Sequence, residues 1–129
     1  MSRRRRGIAV YASQFGVSEA EAERLFVERF GARMAEEAFE AQGGSAWEDD
    51  ALSLRDRSLV VVAALITQGG AEERLRPHVR WALEHGATRD ELEALASLLA
   101  VYAGYPRASV GMEVIREELA RIDEEGART

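Results

Sequence analysis

The residues best suited to chemistry lie between positions 52 and 106, where a histidine, His78, is flanked by arginines. Arg74, Arg76 and Arg80 fall within about one helical turn of it. An imidazole moves protons near neutral pH, and a guanidinium binds carboxylates through paired hydrogen bonds. This combination predicts acid–base chemistry on a small anionic molecule.

A second group of candidates surrounds a Gly-Tyr-Pro break. Tyr102, Tyr105 and Arg107 lie there, where the backbone N–H groups of a new helix favour anions and Arg107 can bind a carboxylate. The alternative is that both tyrosines pack in the core or an interface and Arg107 pairs with a surface acid. Trp47 either fills the core or walls a pocket. For His78, a structural role beside an apolar stripe is the alternative.

Several chemistries are excluded by residues that the chain lacks. It contains no cysteine, which removes disulfides, thiol redox chemistry and thiolate metal sites. All seventeen basic residues are arginine, so no lysine amine can form a Schiff base. His78 and His85 lack a suitably spaced carboxylate, so we expect no metal site, and His85 is interpreted as a helix C-terminal cap. Nucleophile-elbow and phosphate-loop motifs are also missing.

The composition is that of an ordinary globular domain. The 129 residues carry a net charge of -6 and are 47% hydrophobic. The length and the hydrophobic fraction suffice for a core. The negative net charge argues against general binding to nucleic acid. The basic run at 3–6 is expected to fray in solvent within an N-terminal arm, residues 1–17. We recognise neither a signal peptide nor a membrane-spanning stretch, so we expect a cytoplasmic protein without membrane contacts.

Helical periodicity predicts an all-α protein, a compact bundle of about six helices forming one domain over residues 1–129. Capping boxes that begin at Ser18 and Thr88 mark two helix starts, Ser53 is the expected N-cap of a third helix, and glycines mark most ends. Pro77 is expected to kink its helix. The stretch 59–66 is apolar all round and should be buried on every side, partly by a neighbouring subunit. Predicted helices cover about 19–30, 32–41, 54–67, 72–84, a segment after Thr88 and 107–124, with a connector at 43–53 and a frayed tail at 125–129.

Together these motifs resemble the carboxymuconolactone decarboxylase family, which includes the alkyl hydroperoxidase D-like proteins. The resemblance covers roughly residues 20–120. Its motifs are Trp47, Leu52 and Arg57-Ser58-Leu59, an apolar helix and a glycine break, Leu75-x-x-His78-x-Arg80-x-Ala82-Leu83, Gly86-x-Thr88-x-x-Glu91, and Tyr102-Ala-Gly-Tyr-Pro106.

The resemblance implies an all-α, alkyl hydroperoxidase D-like fold that assembles as a trimer or hexamer, with sites at or near subunit contacts. The peroxidase branch depends on a Cys-x-x-Cys pair upstream of the histidine. Ala71 and Arg74 occupy those places here, so peroxidase activity is excluded. The decarboxylase branch lacks the pair and keeps the histidine, as this chain does. Ser58 and Ser45 stand where relatives in these branches carry glutamate.

For the decarboxylase branch, the implied substrate is a small anionic unsaturated lactone of aromatic catabolism, such as 4-carboxymuconolactone. Its ring accepts the electron pair that remains on carbon when CO2 leaves, so no cofactor is expected. The resemblance assigns proton donation to His78, oxyanion stabilisation to a tyrosine, and carboxylate binding to an arginine. The candidate tyrosines are Tyr102 and Tyr105. The candidate arginines are Arg80 and Arg107, with Arg74 as a third. Trp47 and Ser109 complete the expected site.

Two other functions stay open at this point. Ser45 and Ser58, where relatives carry acids, favour a non-catalytic helical oligomer that binds a small ligand or a partner protein. An isomerase or hydrolase of a related lactone is the other alternative.

Overall fold

The computed structural model describes residues 1–128, apart from the side chains of residues 42–45. The described chain contains six α-helices, one π-helical segment and no strand, which confirms the all-α prediction. Ser45, one of the two serines singled out above, falls outside the described side chains. The elements are α1 (Arg3–Phe15), α2 (Glu19–Glu37), the π segment (Ala38–Ala46), α3 (Leu54–Gln68), α4 (Glu72–Glu84), α5 (Arg89–Tyr102) and α6 (Tyr105–Arg128).

The chain divides into two units, Met1–Leu52 and Ser53–Thr129. In the first unit, α1, α2 and the π segment surround a small apolar core. A Cβ on Gly7 would lie 2.7 Å from the carbonyl carbon of Phe39, so α1 packs directly on the backbone of the π segment. The prediction of one domain over the whole chain stays a prediction. The buried members of this core are Ile8, Tyr11, Ala12, Ala22, Ala35, Ala38 and Phe39.

The expectation of a frayed N-terminal arm was wrong. Residues 3–15 are helical because the Ser2 hydroxyl caps the first turn by accepting a hydrogen bond from the Arg5 amide. Arg4 pairs with Glu23 at 2.5 Å and with Glu36 at 2.8 Å, which ties α1 to α2. The frayed tail was also wrong for the described residues, since α6 continues through Arg128.

Local signals located most helix boundaries correctly. The predicted break at Gly31 is a kink inside α2, where this residue has φ 81° and ψ 159°. The predicted start of α3 at Leu54, with Ser53 as its N-cap, is confirmed. The end predicted at about residue 41 was wrong, because the π segment carries the helix to Ala46 and shortens the predicted connector from 43–53 to 47–53. Helix α4 has the predicted bounds and is not interrupted at Pro77.

The second unit packs α3, α4, α5 and α6 around its own apolar core. Thr88 and Glu91 form the predicted capping box at the start of α5. The expectation that 59–66 is buried on every side was wrong within this chain, because Val60 is 58% exposed. The neighbouring helices cover only the side of α3 that carries Val62 and Ile66. The buried core is Val62, Ile66, Leu75, Val79, Ala82, Ala87, Leu92, Ala96, Val114, Ile115 and Leu119.

Candidate functional site

A cavity of about 340 Å³ lies in the second unit, where the end of α3 meets the starts of α4 and α6. This volume is at the lower end of the range for small-molecule sites. Two charged residues line it, Arg107 from α6 and Glu72 from α4. The cavity therefore combines residues of opposite charge with apolar walls. Those walls are formed by Leu65, Ile66, Leu75, Pro106 and Val110.

Arg107 is held at this cavity by the backbone. Its Nη1 donates a 2.7 Å hydrogen bond to the carbonyl oxygen of Gln68, in the last turn of α3. Among the described residues, no carboxylate forms an ion pair with Arg107. A guanidinium has five N–H donors, so most of them are available to a ligand that enters the cavity.

Arg80, the other arginine first proposed to bind substrate, has a different environment. Its Nε lies 2.6 Å from Oε1 of Glu118, and its Nη1 lies 2.8 Å from Oε2 of Glu125. Glu118 is a nearly buried carboxylate, and the positive charge of Arg80 offsets part of its lost hydration. The hydrogen bond from Arg80 also lowers the pKa of Glu125. Arg80 therefore joins α4 to α6, and its geometry gives no support to a role in substrate binding.

His78 lies on α4, half-buried, and is not among the residues that line the cavity. Leu75, three residues earlier on the same helix face, does line it, so the imidazole is about one helical turn away. Its ring meets Trp81 edge-on, with 4.8 Å between ring centroids. Burial lowers the pKa of His78 to about 4, so the ring is neutral near pH 7 in the absence of a bound anion.

Both tyrosines proposed for the oxyanion lie outside the cavity. Tyr102 is 80% exposed and Tyr105 is 73% exposed, and neither lines the cavity. Tyr102 does not pack in the core of its own chain, because the stripe of α5 that packs on the core ends at Leu99. Neither tyrosine is thus brought to the cavity by its own chain.

The remaining expected site residues are also dispersed. Ser109 donates its hydroxyl to the carbonyl oxygen of Pro106 at 2.9 Å, one turn back on α6. Arg74 is exposed on α4. Trp47 is half-buried in the first unit, whereas the lining residues of the cavity all belong to the second unit. Of the predicted site residues, only Arg107 lines the cavity.

A buried polar pair connects α3 to the end of α4. The hydroxyl oxygen of Ser58, a fully buried residue, lies 2.7 Å from Nδ1 of His85. Burial lowers the pKa of His85, so this ring also favours its neutral form. His85 does occupy the C-cap position of α4, as predicted, but its ring binds Ser58 as well.

Sequence reasoning assigned no site role to two lining residues, Glu72 and Gly69, or to Gln68, which accepts the hydrogen bond from Arg107. Glu72 was recognised only as part of a helix start, and Gly69 only as a helix stop. Gln68 contributes a backbone carbonyl, which carries no side-chain signal. The one usable clue was the Gly69-Gly70 pair, because a glycine beside a helix end allows another group to approach the backbone closely.

None of the helices within residues 1–128 combines the length and apolarity needed to cross a membrane. Within the described side chains, no cluster of three or more His, Asp or Glu residues is placed to hold a metal ion.

Comparisons with known proteins identify the family. The sequence profile of the carboxymuconolactone decarboxylase family matches residues 33–117. This match covers well over half of the chain, and the chain belongs to that family.

Two curated proteins are similar to this chain in sequence. The chain is 36% identical over 74 residues to a protein of Acinetobacter baylyi named 4-carboxymuconolactone decarboxylase, across 57% of this chain and 54% of that protein. It is 31% identical over 83 residues to an uncharacterised 15.0 kDa protein of Paracoccus denitrificans, across 64% of this chain and 62% of that protein. The matched regions thus span less than two thirds of the length of these relatives.

Proposed function

We propose that this protein is a cofactor-independent carboxy-lyase that acts on a small anionic unsaturated lactone, with 4-carboxymuconolactone as the first candidate. One observation carries the proposal: Arg107 lines the cavity, and no carboxylate among the described residues pairs with it. The name of the Acinetobacter relative supports the same reaction class.

The proposed reaction breaks the bond between a ring carbon and its carboxylate and releases CO2. The electron pair left behind is delocalised through the ring alkene onto the lactone carbonyl, and one proton is then added to carbon. Arg107 holds the second carboxylate so that the ring lies between the apolar walls. The apolar side chains of Leu65 and Leu75 pack against that ring.

His78 is the proposed proton donor, and substrate must help to charge it. With its pKa at about 4, the free ring lacks the proton that it would have to give near pH 7. A carboxylate bound within a few ångströms favours the imidazolium and raises this pKa. In this proposal the ring therefore takes up a proton as the anionic lactone binds and passes it to carbon after CO2 leaves.

The position of Ala71 supports the cavity as the reaction site. The resemblance places the first cysteine of the peroxidase branch at this position, and Ala71 lines the cavity. A methyl group there offers no thiol, but the location coincides with the reactive site of that branch.

We also propose a homo-oligomer, a trimer or hexamer, in which exposed apolar side chains are covered. Leu98, Val101 and Tyr102 share one face of α5 and are 60%, 79% and 80% exposed. In such an assembly a second subunit can bring a tyrosine to the cavity, which the single chain does not do.

The direct test supplies the full-length protein with 4-carboxymuconolactone and measures CO2 release together with substrate loss. The proposal expects turnover by the wild type and a loss of at least about 100-fold in kcat for His78→Gln. Absence of both turnover and binding would discard this substrate, and unchanged turnover in His78→Gln would discard the assigned donor.

A non-catalytic ligand binder is the second candidate. It is favoured by the neutral state of His78 and by the position of that ring outside the cavity lining. Thermal denaturation with the lactone separates the two functions. A binder is stabilised by a compound that it does not consume, whereas an enzyme depletes it.

A further inference from the structure

The guanidinium of Arg107 lies directly over the backbone of Gly69. A Cβ atom on Gly69 would overlap Nη1 of Arg107 and would lie 2.7 Å from its Cζ atom. The same Nη1 donates to the carbonyl oxygen of Gln68, the residue just before the glycine. The space that a side chain would occupy at position 69 is therefore filled by the guanidinium.

We propose that Gly69 is a positioning residue for the anion-binding group: its missing side chain lets Arg107 bind the end of α3 and face the cavity. The identity of the anion, a substrate carboxylate, rests on the function proposed above. The placement of Arg107 by Gly69 does not, because it follows from the geometry of the unliganded chain. Both residues line the cavity.

A helix-end glycine also has a simpler explanation, which the test must separate. Gly69 has φ 72° and ψ 159°, a conformation that strains any other residue. Gly70 has φ 74° but no atom within 4 Å of an added Cβ. Gly86 ends another helix with φ 106°, also with no such atom, and lies away from the cavity. Alanine at these positions strains the backbone without touching Arg107.

The first experiment compares steady-state kinetics of Gly69→Ala and Gly86→Ala on 4-carboxymuconolactone. Arg107 ends in a flexible, exposed side chain, so it should move aside rather than prevent folding of Gly69→Ala. We expect KM to rise about tenfold with little change in kcat, as for the loss of one charged hydrogen bond. Gly86→Ala should leave KM within about twofold of wild type.

A double-mutant cycle removes the contribution of backbone strain. Strain at position 69 is the same whether or not Arg107 is present, so it cancels between the two backgrounds. Only strain acts in the Arg107→Ala background, so Gly69→Ala should raise KM there far less than in the wild type. A further tenfold rise there, or equal rises for Gly69→Ala and Gly86→Ala, would overturn the proposal.

A second readout needs no substrate. The Nε–H resonance of Arg107, assigned by its loss in Arg107→Ala, should shift in Gly69→Ala and stay in place in Gly70→Ala. An unmoved resonance in Gly69→Ala would overturn the proposal. If the wild type neither consumes nor binds the lactone, the proposed function fails while this measurement still decides the role of Gly69.

Failure to fold is informative as well. If Gly69→Ala does not fold but Gly69→Ala/Arg107→Ala does, the overlap with Arg107 is the cause and the proposal is supported. If neither folds, backbone strain alone explains the glycine and the proposal is wrong.

Discussion

The hydroxyl of Ser58 shares a 2.7 Å hydrogen bond with Nδ1 of His85 inside the second unit. This bond joins the first turns of α3 to the C-terminus of α4. Ser58 occupies the position where the peroxidase branch of the family carries a glutamate. A buried hydroxyl forms this bond without a charge, whereas a carboxylate there would have to be compensated.

The Ser58–His85 bond should contribute measurably to stability. We expect Ser58→Ala to destabilise the second unit by about 1–2 kcal/mol, because it leaves a partly buried ring nitrogen without its partner. Urea unfolding followed by Trp81 fluorescence in a Trp47→Phe background measures this. Ser109→Ala, which removes a hydroxyl bonded within its own helix, should change stability by less than about 0.5 kcal/mol. Equal effects of the two variants would contradict the assigned role of Ser58.

Stability should fall as the pH drops from about 6.5 to about 5. The folded pKa of His78 is lowered to about 4 from an unfolded value near 6.5, so the unfolded chain binds the proton first. The free energy of unfolding is therefore highest above pH 6.5, where His78 is neutral in both states. It decreases as the pH falls from there towards the folded pKa, because only the unfolded chain gains the proton. His85 acts in the same direction. Thermal midpoints across this range should show the decline.

His78→Gln is the control for this pH dependence. It should flatten the decline between pH 6.5 and 5, where most carboxylates are still ionised. A wild-type stability that is constant or higher at pH 5 would contradict the cause assigned here, which is desolvation of the imidazole.

The ion pair between Arg80 and Glu118 should be structural. Removing the guanidinium leaves a nearly buried carboxylate with weaker compensation, so Arg80→Ala should cost about 2–4 kcal/mol. The comparison is Arg116→Ala, whose pair with Glu93 is solvent-exposed and is expected to contribute at most about 1 kcal/mol. Denaturant unfolding measures both. A loss for Arg80→Ala no larger than that for Arg116→Ala would refute the structural role.

Glu72 should weaken binding of a substrate that carries two negative charges. Glu72 lines the same cavity as Arg107, so Glu72→Gln should lower KM for 4-carboxymuconolactone about fivefold by removing repulsion. Glu113→Gln makes the same charge change at an exposed position of α6 outside the lining. If both variants lower KM equally, the effect is that of net charge and not of Glu72.

Much of the fold was predictable because its signals are local. The serine and threonine caps at Ser18, Ser53 and Thr88 each act within one turn, and all three are present as predicted. The first helix was missed although Ser2 offered the same capping signal. The π segment could not be predicted, because the spacing of apolar residues in the sequence does not indicate its wider turns.

The site was less predictable because it depends on distant contacts. Whether an arginine binds substrate or a protein carboxylate is decided by tertiary packing. Arg80 meets Glu125, 45 residues away, and Arg107 meets Gln68, 39 residues away. Residues that are so far apart in the sequence form no recognisable motif. Sequence reasoning therefore named a group of candidates, and of these the structure brings only Arg107 to the cavity.

The kinetics of Arg107→Ala test the central claim most directly, with Arg116→Ala as a matched loss of one exposed guanidinium. The steady-state constants for 4-carboxymuconolactone should show KM raised at least about tenfold in Arg107→Ala and nearly unchanged in Arg116→Ala. If Arg107→Ala retains the wild-type KM and kcat, this cavity is not where the carboxylate binds.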